Sequence, residues 1–186
     1  MTKYNMGCGF NHKNGWVNCD KVAACEPDLL MDIERLPWPI KDNEATEVMF
    51  IHCLEHVGGE PDLFIGIMKE LYRVCEKDAI VRIHVPHPNS DGFLGDPTHV
   101  RVITPMVLSL FSKDNNRKWK EFGASNSPLA LYHDVDFIIE NTTLKLFPHY
   151  QRLWADKKIN RDELDKRIKE HNNVVEEYQF LLRVKK

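Results

Sequence analysis

Near the start of the chain stand KYNMGCG at residues 3–9 and WVNCD at residues 16–20, and these two runs decide the fold. Each is a short apolar segment that stops at glycine or aspartate, which is typical of a β-strand followed by a turn. The same pattern returns in DLLMD at residues 28–32 and in EVMFIH at residues 47–52. We therefore expect four successive strands in the N-terminal third of the chain.

Helical and strand patterns alternate after these four strands. Apolar residues at helical spacing predict a helix over residues 61–74, and AIVRIHV at residues 79–85 predicts a fifth strand. Thr104 and Pro105 predict the start of a short helix. Residues 113–132 are polar, and we expect them to be irregular, either a flexible lid or a long surface excursion.

The C-terminal part continues the alternation. Residues 135–146 contain strand material, and Asn160 with Glu163 predicts a capping box that starts a charged helix ending near residue 175. Residues 178–184 then predict a last strand. The whole pattern predicts an α/β fold with a Rossmann-like, mostly parallel sheet, and 186 residues suit a single domain spanning 1–186.

Composition excludes several classes of protein. No apolar run approaches the roughly 18 residues of a membrane span, so we expect no membrane partner. The net charge of −3 gives no electrostatic case for nucleic acid. The five cysteines are scattered and never form a CxxC pair, which favours reduced thiols in a cytoplasmic protein over disulfides or a zinc site. The chain runs into its first motif at once, so we expect no signal peptide.

Polar and glycine residues gather at the predicted strand ends, where open α/β sheets bind ligands. Gly7 and Gly9 permit a sharp turn and close approach of a ligand, whereas Asp20 and Asp32 can accept hydrogen bonds from it. The alternative is that the two glycines form an ordinary tight turn and that each aspartate is a turn residue without a ligand. Only residues 10–15 separate the glycines from the second strand, too few for a crossover helix, so a ligand without a pyrophosphate is favoured over a dinucleotide.

Four motifs in order carry a resemblance to a known family. NMGCG at residues 5–9, GWVNCD at 15–20, DIERLPWPI at 32–40 and HCLEH at 52–56 resemble class I S-adenosylmethionine (SAM)-dependent methyltransferases of the type 11 group. The likeness extends over about residues 4–105. It implies SAM as the cofactor and a sheet of seven strands with the last one antiparallel.

The resemblance also implies a set of cofactor-binding residues: Asn5, Gly7, Cys8, Gly9, Asp20, Asp32, Ile33 and His52. In this set the glycines border the methionine part of SAM, Asp20 holds the ribose hydroxyls, Asp32 and Ile33 flank adenine, and His52 stands beside the methionine part. The chain departs from the family in having Asn5 where an acidic residue is usual. The N-terminal helix of the family is also missing, so we expect a more open site, or one completed by a partner subunit in a homo-oligomer.

The loop after the fifth strand supplies the catalytic candidates. GDPTHVR at residues 95–101 resembles a segment of relatives that act on sugars or other small acceptors, so we expect residues 87–132 to form the acceptor side. His99 is the first candidate for a general base and His87 the second. Arg101 pairs with Asp96 or holds an anionic acceptor, and a purely structural Asp–Arg loop is the alternative.

His56 is expected to cap or pack rather than to catalyse. The histidines of the fifth strand and its loop lack the helical context of a metalloprotease motif, so we expect no metal site. The resulting hypothesis is a SAM-dependent methyltransferase that methylates oxygen or nitrogen of a small molecule or glycan. The alternative is a non-catalytic SAM-fold subunit that completes a partner protein, and an NAD-dependent oxidoreductase is disfavoured by the short first connection.

Overall fold

The structure is a computed structural model that describes all residues 1–186. Its strands are β1 (Thr2–Met6), β2 (Val17–Asp20), β3 (Leu29–Leu30), β4 (Ala45–Ile51), β5 (Cys75–Pro86), β6 (Phe137–Leu146) and β7 (Val175–Val184). They form one sheet in the order β3-β2-β1-β4-β5-β7-β6. Only β7 is antiparallel, pairing with both β5 and β6. The predicted fold class is therefore confirmed, including the antiparallel last strand.

The helices are α1 (Pro61–Val74), α2 (Asp91–Leu94), α3 (Pro105–Ser109), α4 (Lys113–Phe122), α5 (Leu129–His133), α6 (Pro148–Ala155) and α7 (Arg161–Glu170). The bounds of α1 match the prediction because Pro61 starts the helix and one apolar stripe faces the sheet. Thr104 caps α3 as predicted, since its side chain accepts from the N–H of Val107. No helix of the chain has the length and apolarity that crossing a membrane would require.

The prediction of irregular structure over residues 113–132 is wrong for most of that segment. Ser112 caps α4 and Gly123 ends it in the left-handed conformation. The helix buries only Asn116, whose amide bonds to Leu110 O and accepts from the N–H groups of Ala130 and Leu131. A helix held by polar contacts carries no apolar periodicity, which is why the sequence pattern did not indicate it.

The core lies between the sheet and its helices. A cluster of 31 buried residues includes Phe64, Ile67 and Leu71 of α1 packed on the central strands. A second, small cluster contains Ile159 and Leu164, which flank the start of α7 at the spacing of a hydrophobic staple. That helix ends at Glu170, earlier than predicted, because β7 already begins at Val175.

Candidate functional site

A cleft of about 190 Å³, partly open to solvent, lies at the carboxyl ends of β1, β2, β3 and β4. The lining residues are Gly7, Asp20, Lys21, Met31, Asp32, Ile33, His52, Cys53, His56 and Val57. The structure thus brings together five of the residues that the sequence assigned to the cofactor. Lys21, Met31, Cys53, His56 and Val57 were not among them.

The turn after β1 requires glycine at its first position. Gly7 has φ of +64°, and a Cβ there would lie 2.3 Å from Sγ of the buried Cys53. Gly9 also has a positive φ of +50°, but a Cβ on it would meet nothing within 4 Å. The first glycine is therefore fixed by packing as well as by backbone conformation, whereas the second leaves open space in front of the turn.

Asp20 at the end of β2 joins the turn after β1 to the turn after β2. Its Oδ2 accepts from the N–H of Gly9 at 2.8 Å, and its Oδ1 accepts from the N–H of Val22 at 2.9 Å. A carboxylate has about four lone-pair positions, so two remain for a ligand in the cleft. Asp20 can therefore be a turn residue and still accept hydrogen bonds from a ligand.

Asp32 and Ile33 form the far end of the cleft, after β3. Oδ1 of Asp32 accepts from the N–H of Glu34 at 3.0 Å, and Oδ2 lies 3.9 Å from Nε of the exposed Arg35. Ile33 is buried, and its carbonyl accepts from Nε1 of Trp38 at 2.9 Å. An apolar wall next to a carboxylate suits a flat heterocycle that carries an amino group.

Asn5, which the resemblance assigned to the cofactor, is not among the residues that line the cleft. Its buried amide donates to Asn11 O at 3.1 Å and to Asn18 Oδ1 at 3.0 Å. The amide of Asn18 donates in turn to Asp28 Oδ2 at 2.8 Å. This polar network holds the connection between β1 and β2, which contains no helix, and thereby replaces the missing crossover helix.

Cys8 is also buried behind the turn rather than exposed to the cleft, and its N–H donates to Cys19 O. Burial raises the pKa of its thiol. Both residues are therefore buried behind the glycine turn and support it from inside.

His52 follows β4 in the left-handed conformation, with φ of +50°, a strained backbone for a residue with a side chain. Its Nδ1 lies 3.6 Å from Oε1 of Glu55, and its Nε2 lies 2.9 Å from Oε2 of Glu177 on β7. The carboxylate of Glu55, together with that of Glu177, raises the pKa of His52 against the opposing effect of burial. The imidazole is half exposed and faces the cleft.

The loop between β5 and α3 places His99 beside His56. The backbone carbonyl of Glu55 accepts from the N–H groups of Val100 and Arg101 at 2.9 and 3.1 Å. The imidazole rings of His56 and His99 consequently lie 4.5 Å apart between centroids. His99 therefore stands beside His56, which lines the cleft, through a contact between distant parts of the chain.

Arg101 does not pair with Asp96, which corrects the expected ion pair. Its guanidinium donates to the carbonyls of Gly58 and Gly59 and stacks on Phe64 at 4.3 Å. Asp96 instead accepts from the N–H and hydroxyl of Thr98 at 2.8 and 2.6 Å. These contacts make Arg101 a structural clamp of the loop.

His87, the second candidate base, is buried against Tyr178 and outside the cleft. Its Nδ1 accepts from the N–H of Asn89 at 3.1 Å, so its proton resides on Nε2. Burial lowers the pKa of His87. These contacts support the turn after β5 and leave His99 as the better placed of the two histidines.

Comparisons with solved structures identify the fold. A SAM-dependent methyltransferase from Archaeoglobus fulgidus matches with a TM-score of 0.60 and 14% identity, over 98% of this chain and 85% of that chain. One from Methanosarcina mazei matches with a TM-score of 0.51 and 13% identity, over 98% of this chain and 91% of that chain. A third match is a Burkholderia thailandensis 1,6-didemethyltoxoflavin-N1-methyltransferase, solved with bound 1,6-didemethyltoxoflavin and S-adenosylhomocysteine. It has a TM-score of 0.52 and 10% sequence identity, over 100% of this chain and 71% of that chain.

A scan against protein-family models finds no match, and a search of curated proteins finds none either. The structural likeness nevertheless extends over nearly the whole chain. The chain has the fold of SAM-dependent methyltransferases, as the sequence motifs predicted.

Proposed function

We propose that the chain binds SAM in this cleft and transfers its methyl group to a small acceptor. The observation that carries the proposal is the convergence of the Gly7 turn, Asp20 and Asp32 on one cleft. Strand ends contribute all three, in the arrangement expected for a nucleoside with an amino-acid tail.

The residues present fit SAM part by part. The free lone pairs of Asp20 suit the ribose hydroxyls, and the apolar Met31 and Ile33 suit the adenine faces. The open space in front of Gly9 suits the methionine part. The cleft offers no helix N-terminus after β1 for a pyrophosphate, which supports SAM over NAD.

SAM would supply an activated methyl group on a sulfonium. A lone pair of the acceptor forms the new bond to the methyl carbon, the carbon–sulfur bond breaks, and sulfur leaves as a neutral thioether. The proton of the acceptor oxygen or nitrogen passes to a base or to water. The chain has mainly to align the two reactants, which contributes about 7–11 kcal/mol in favourable cases.

The acceptor side of this proposal is the segment of residues 87–132, of which residues 87–104 lead from β5 to α3. His99 stands at its inner end as the base, and exposed Leu94, Val100 and Val102 give the loop an apolar surface. Such a surface favours a small molecule with an apolar face, and a glycan is the second acceptor class. The net charge of −3 gives no support to a nucleic-acid acceptor.

A non-catalytic SAM-fold subunit is the second candidate function. It is favoured by Phe10, which is 84% exposed in the connection beside the cleft, because large exposed apolar side chains often mark protein contacts. All five cysteines are free and buried, which supports our proposal of a cytoplasmic location.

Calorimetry with SAM, S-adenosylhomocysteine and NAD tests the proposed function. We expect one saturable site for each of the first two ligands and none for NAD. A panel of hydroxyl and amine acceptors then follows, with release of S-adenosylhomocysteine as the readout. Absence of SAM binding contradicts the proposal, and SAM binding without turnover of any acceptor favours the non-catalytic subunit.

A further inference from the structure

The carboxylate of Glu55 lies buried beside the cleft without a hydrogen-bond partner. The residue is 1% exposed, and neither Oε1 nor Oε2 makes a hydrogen bond. Nδ1 of His52 lies 3.6 Å from Oε1, beyond normal hydrogen-bond length. A buried carboxylate without a partner is costly, and such groups are usually paired or coordinate a metal.

Two imidazoles stand close to this carboxylate. One potential ligand atom from each of Glu55, His56 and His99 lies within 4.8 Å of the other two. The side chain of His99 is only 6% exposed and stacks on Phe93 at 5.1 Å. The three residues are therefore held together by the packing of the loop on the turn after β4.

Hydrogen bonds orient both imidazoles with Nε2 free. Nδ1 of His99 contacts the carbonyl of Phe93 at 2.8 Å, and since a carbonyl can only accept, Nδ1 carries the proton. Nδ1 of His56 contacts Thr98 Oγ1 at 2.9 Å, while that hydroxyl donates its hydrogen to Asp96. Nδ1 of His56 must then be the donor, which leaves a lone pair on each Nε2.

This arrangement is the one that metal-binding histidines adopt. A ligating imidazole almost always donates its other N–H to a carbonyl or a carboxylate, directly or through a further group, and that bond fixes the ring. His99 uses a backbone carbonyl, and His56 uses Thr98 backed by the carboxylate of Asp96. Neither Nε2 makes a hydrogen bond within the chain, and the acidic oxygen nearest to Nε2 of His99 is Oδ2 of Asp96 at 3.9 Å.

We propose that Glu55, His56 and His99 form a binding site for a divalent transition-metal ion of the Zn²⁺ type at the edge of the cleft. Two imidazoles and one carboxylate are the ligand set of catalytic zinc sites, which keep a further position open. Ligand atoms on one tetrahedral Zn²⁺ lie about 3.4 Å apart, so the three side chains must approach more closely than the present separation of up to 4.8 Å to share one ion. The ion neutralises the buried charge of Glu55.

A Zn²⁺ ion bound there would lie beside the cleft, because His56 is one of the lining residues. It would take a water or an oxygen of the acceptor, whose proton such an ion makes easier to lose. With the ion bound, His99 is a ligand and no longer the base, and that proton passes to water. This last step rests on the proposed methyl transfer, whereas metal binding itself does not.

The test measures Zn²⁺ binding on the tag-free chain without SAM or acceptor, by equilibrium dialysis and metal analysis. We expect one Zn²⁺ per chain, with affinity at least 100-fold weaker in His56→Ala, His99→Ala and Glu55→Gln, in line with losses of about 10–100-fold for removal of a supporting group alone. His171→Ala, an exposed histidine outside the site, is the matched control and retains full affinity.

Thr98→Val separates ligation from folding, because Thr98 contacts no metal but orients His56. We expect it to weaken Zn²⁺ binding about 10-fold or more while the melting temperature of the metal-free chain stays close to that of the unmodified protein. With Co²⁺ as a spectroscopic probe, we expect a spectrum without a thiolate-to-metal band. A thiolate band, or Zn²⁺ affinity that is equal in His56→Ala, His99→Ala and His171→Ala, overturns the proposal.

SAM calorimetry on the same preparations keeps the two proposals distinct. A chain that binds SAM but not Zn²⁺ refutes the metal site alone. A chain that binds Zn²⁺ at these residues but not SAM supports the metal site and refutes the methyl-transfer proposal.

Discussion

The two sides of the cleft are built in different ways. On the cofactor side, the functional groups stand at the ends of adjacent strands, and the bond from Gly9 to Asp20 joins residues 11 positions apart. On the acceptor side, His56 contacts Thr98, 42 positions away. A site made of strand ends is fixed by the sheet itself, whereas a site made by a long loop depends on contacts that the loop makes elsewhere.

The largest effect is expected on the acceptor side. His99→Ala removes the imidazole that serves as base or metal ligand, and we expect turnover to fall about 10²–10⁴-fold. The affinity for SAM stays the same, because His99 does not line the cofactor part of the cleft. Steady-state kinetics with SAM calorimetry measures both quantities. Equal turnover in the variant would remove His99 from the chemistry, and a large loss of SAM affinity would show that the two sides are not separate.

Gly7→Ala is expected to destabilise the turn after β1 on the cofactor side. The new Cβ meets Cys53 at a positive φ, so overpacking and strain together lower the free energy of unfolding by about 3 kcal/mol. Gly9→Ala is the matched control, since it adds strain without a clash, and we expect a loss of about 1 kcal/mol. Urea unfolding measures the difference, and equal losses would mean that the contact with Cys53 relaxes freely.

Asp20→Ala is expected to weaken SAM binding by about 1–3 kcal/mol, because its partners lose their acceptor. The variant also leaves the N–H groups of Gly9 and Val22 without the carboxylate, so stability falls too. Asp20→Asn retains one side-chain oxygen, and in a SAM titration we expect its dissociation constant to lie between those of Asp20→Ala and the unmodified chain. An unchanged dissociation constant in both variants would make Asp20 a turn residue only.

The smallest effect is expected at Arg101, which holds the loop after β5 against Gly58 and Gly59. Arg101→Met removes the bonds to Gly58 and Gly59 and the stacking on Phe64, and we expect a loss of stability of about 1 kcal/mol. Hydrogen exchange is expected to accelerate in residues 95–104 and not at the ends of β1 and β2. Arg152→Met, on the exposed face of α6, serves as control. Faster exchange on both sides would mean that the loop also supports the cofactor side.

The difference between the sides also explains what the sequence could predict. Helix α1 and the strand ends at Gly7 and Asp20 follow from local patterns, since apolar periodicity and turn residues act between neighbours along the chain. The sequence pattern did not predict the polar helix α4, because hydrogen bonds of Asn116 hold this helix and no apolar stripe marks it.

Contacts between distant segments account for the rest of the candidate site. The pairing of His52 with Glu177 joins residues on β4's end and β7, and the meeting of Glu55 with His99 depends on how the loop folds back. Neither leaves a signal in the spacing of residues. HCLEH at residues 52–56 indicated a segment that lines the cleft, but only the structure shows which of its side chains face one another.

The two backbone bonds accepted by Asp20 have a kinetic consequence. Because Gly9 and Val22 already hold the carboxylate, its rotamer is selected when the chain folds and not when a nucleoside arrives. Ordering a flexible side chain at an interface costs about 0.5–1.5 kcal/mol, and this residue avoids that loss upon capture. We therefore expect rapid association with a preformed half-site, limited by the desolvation of the incoming ribose.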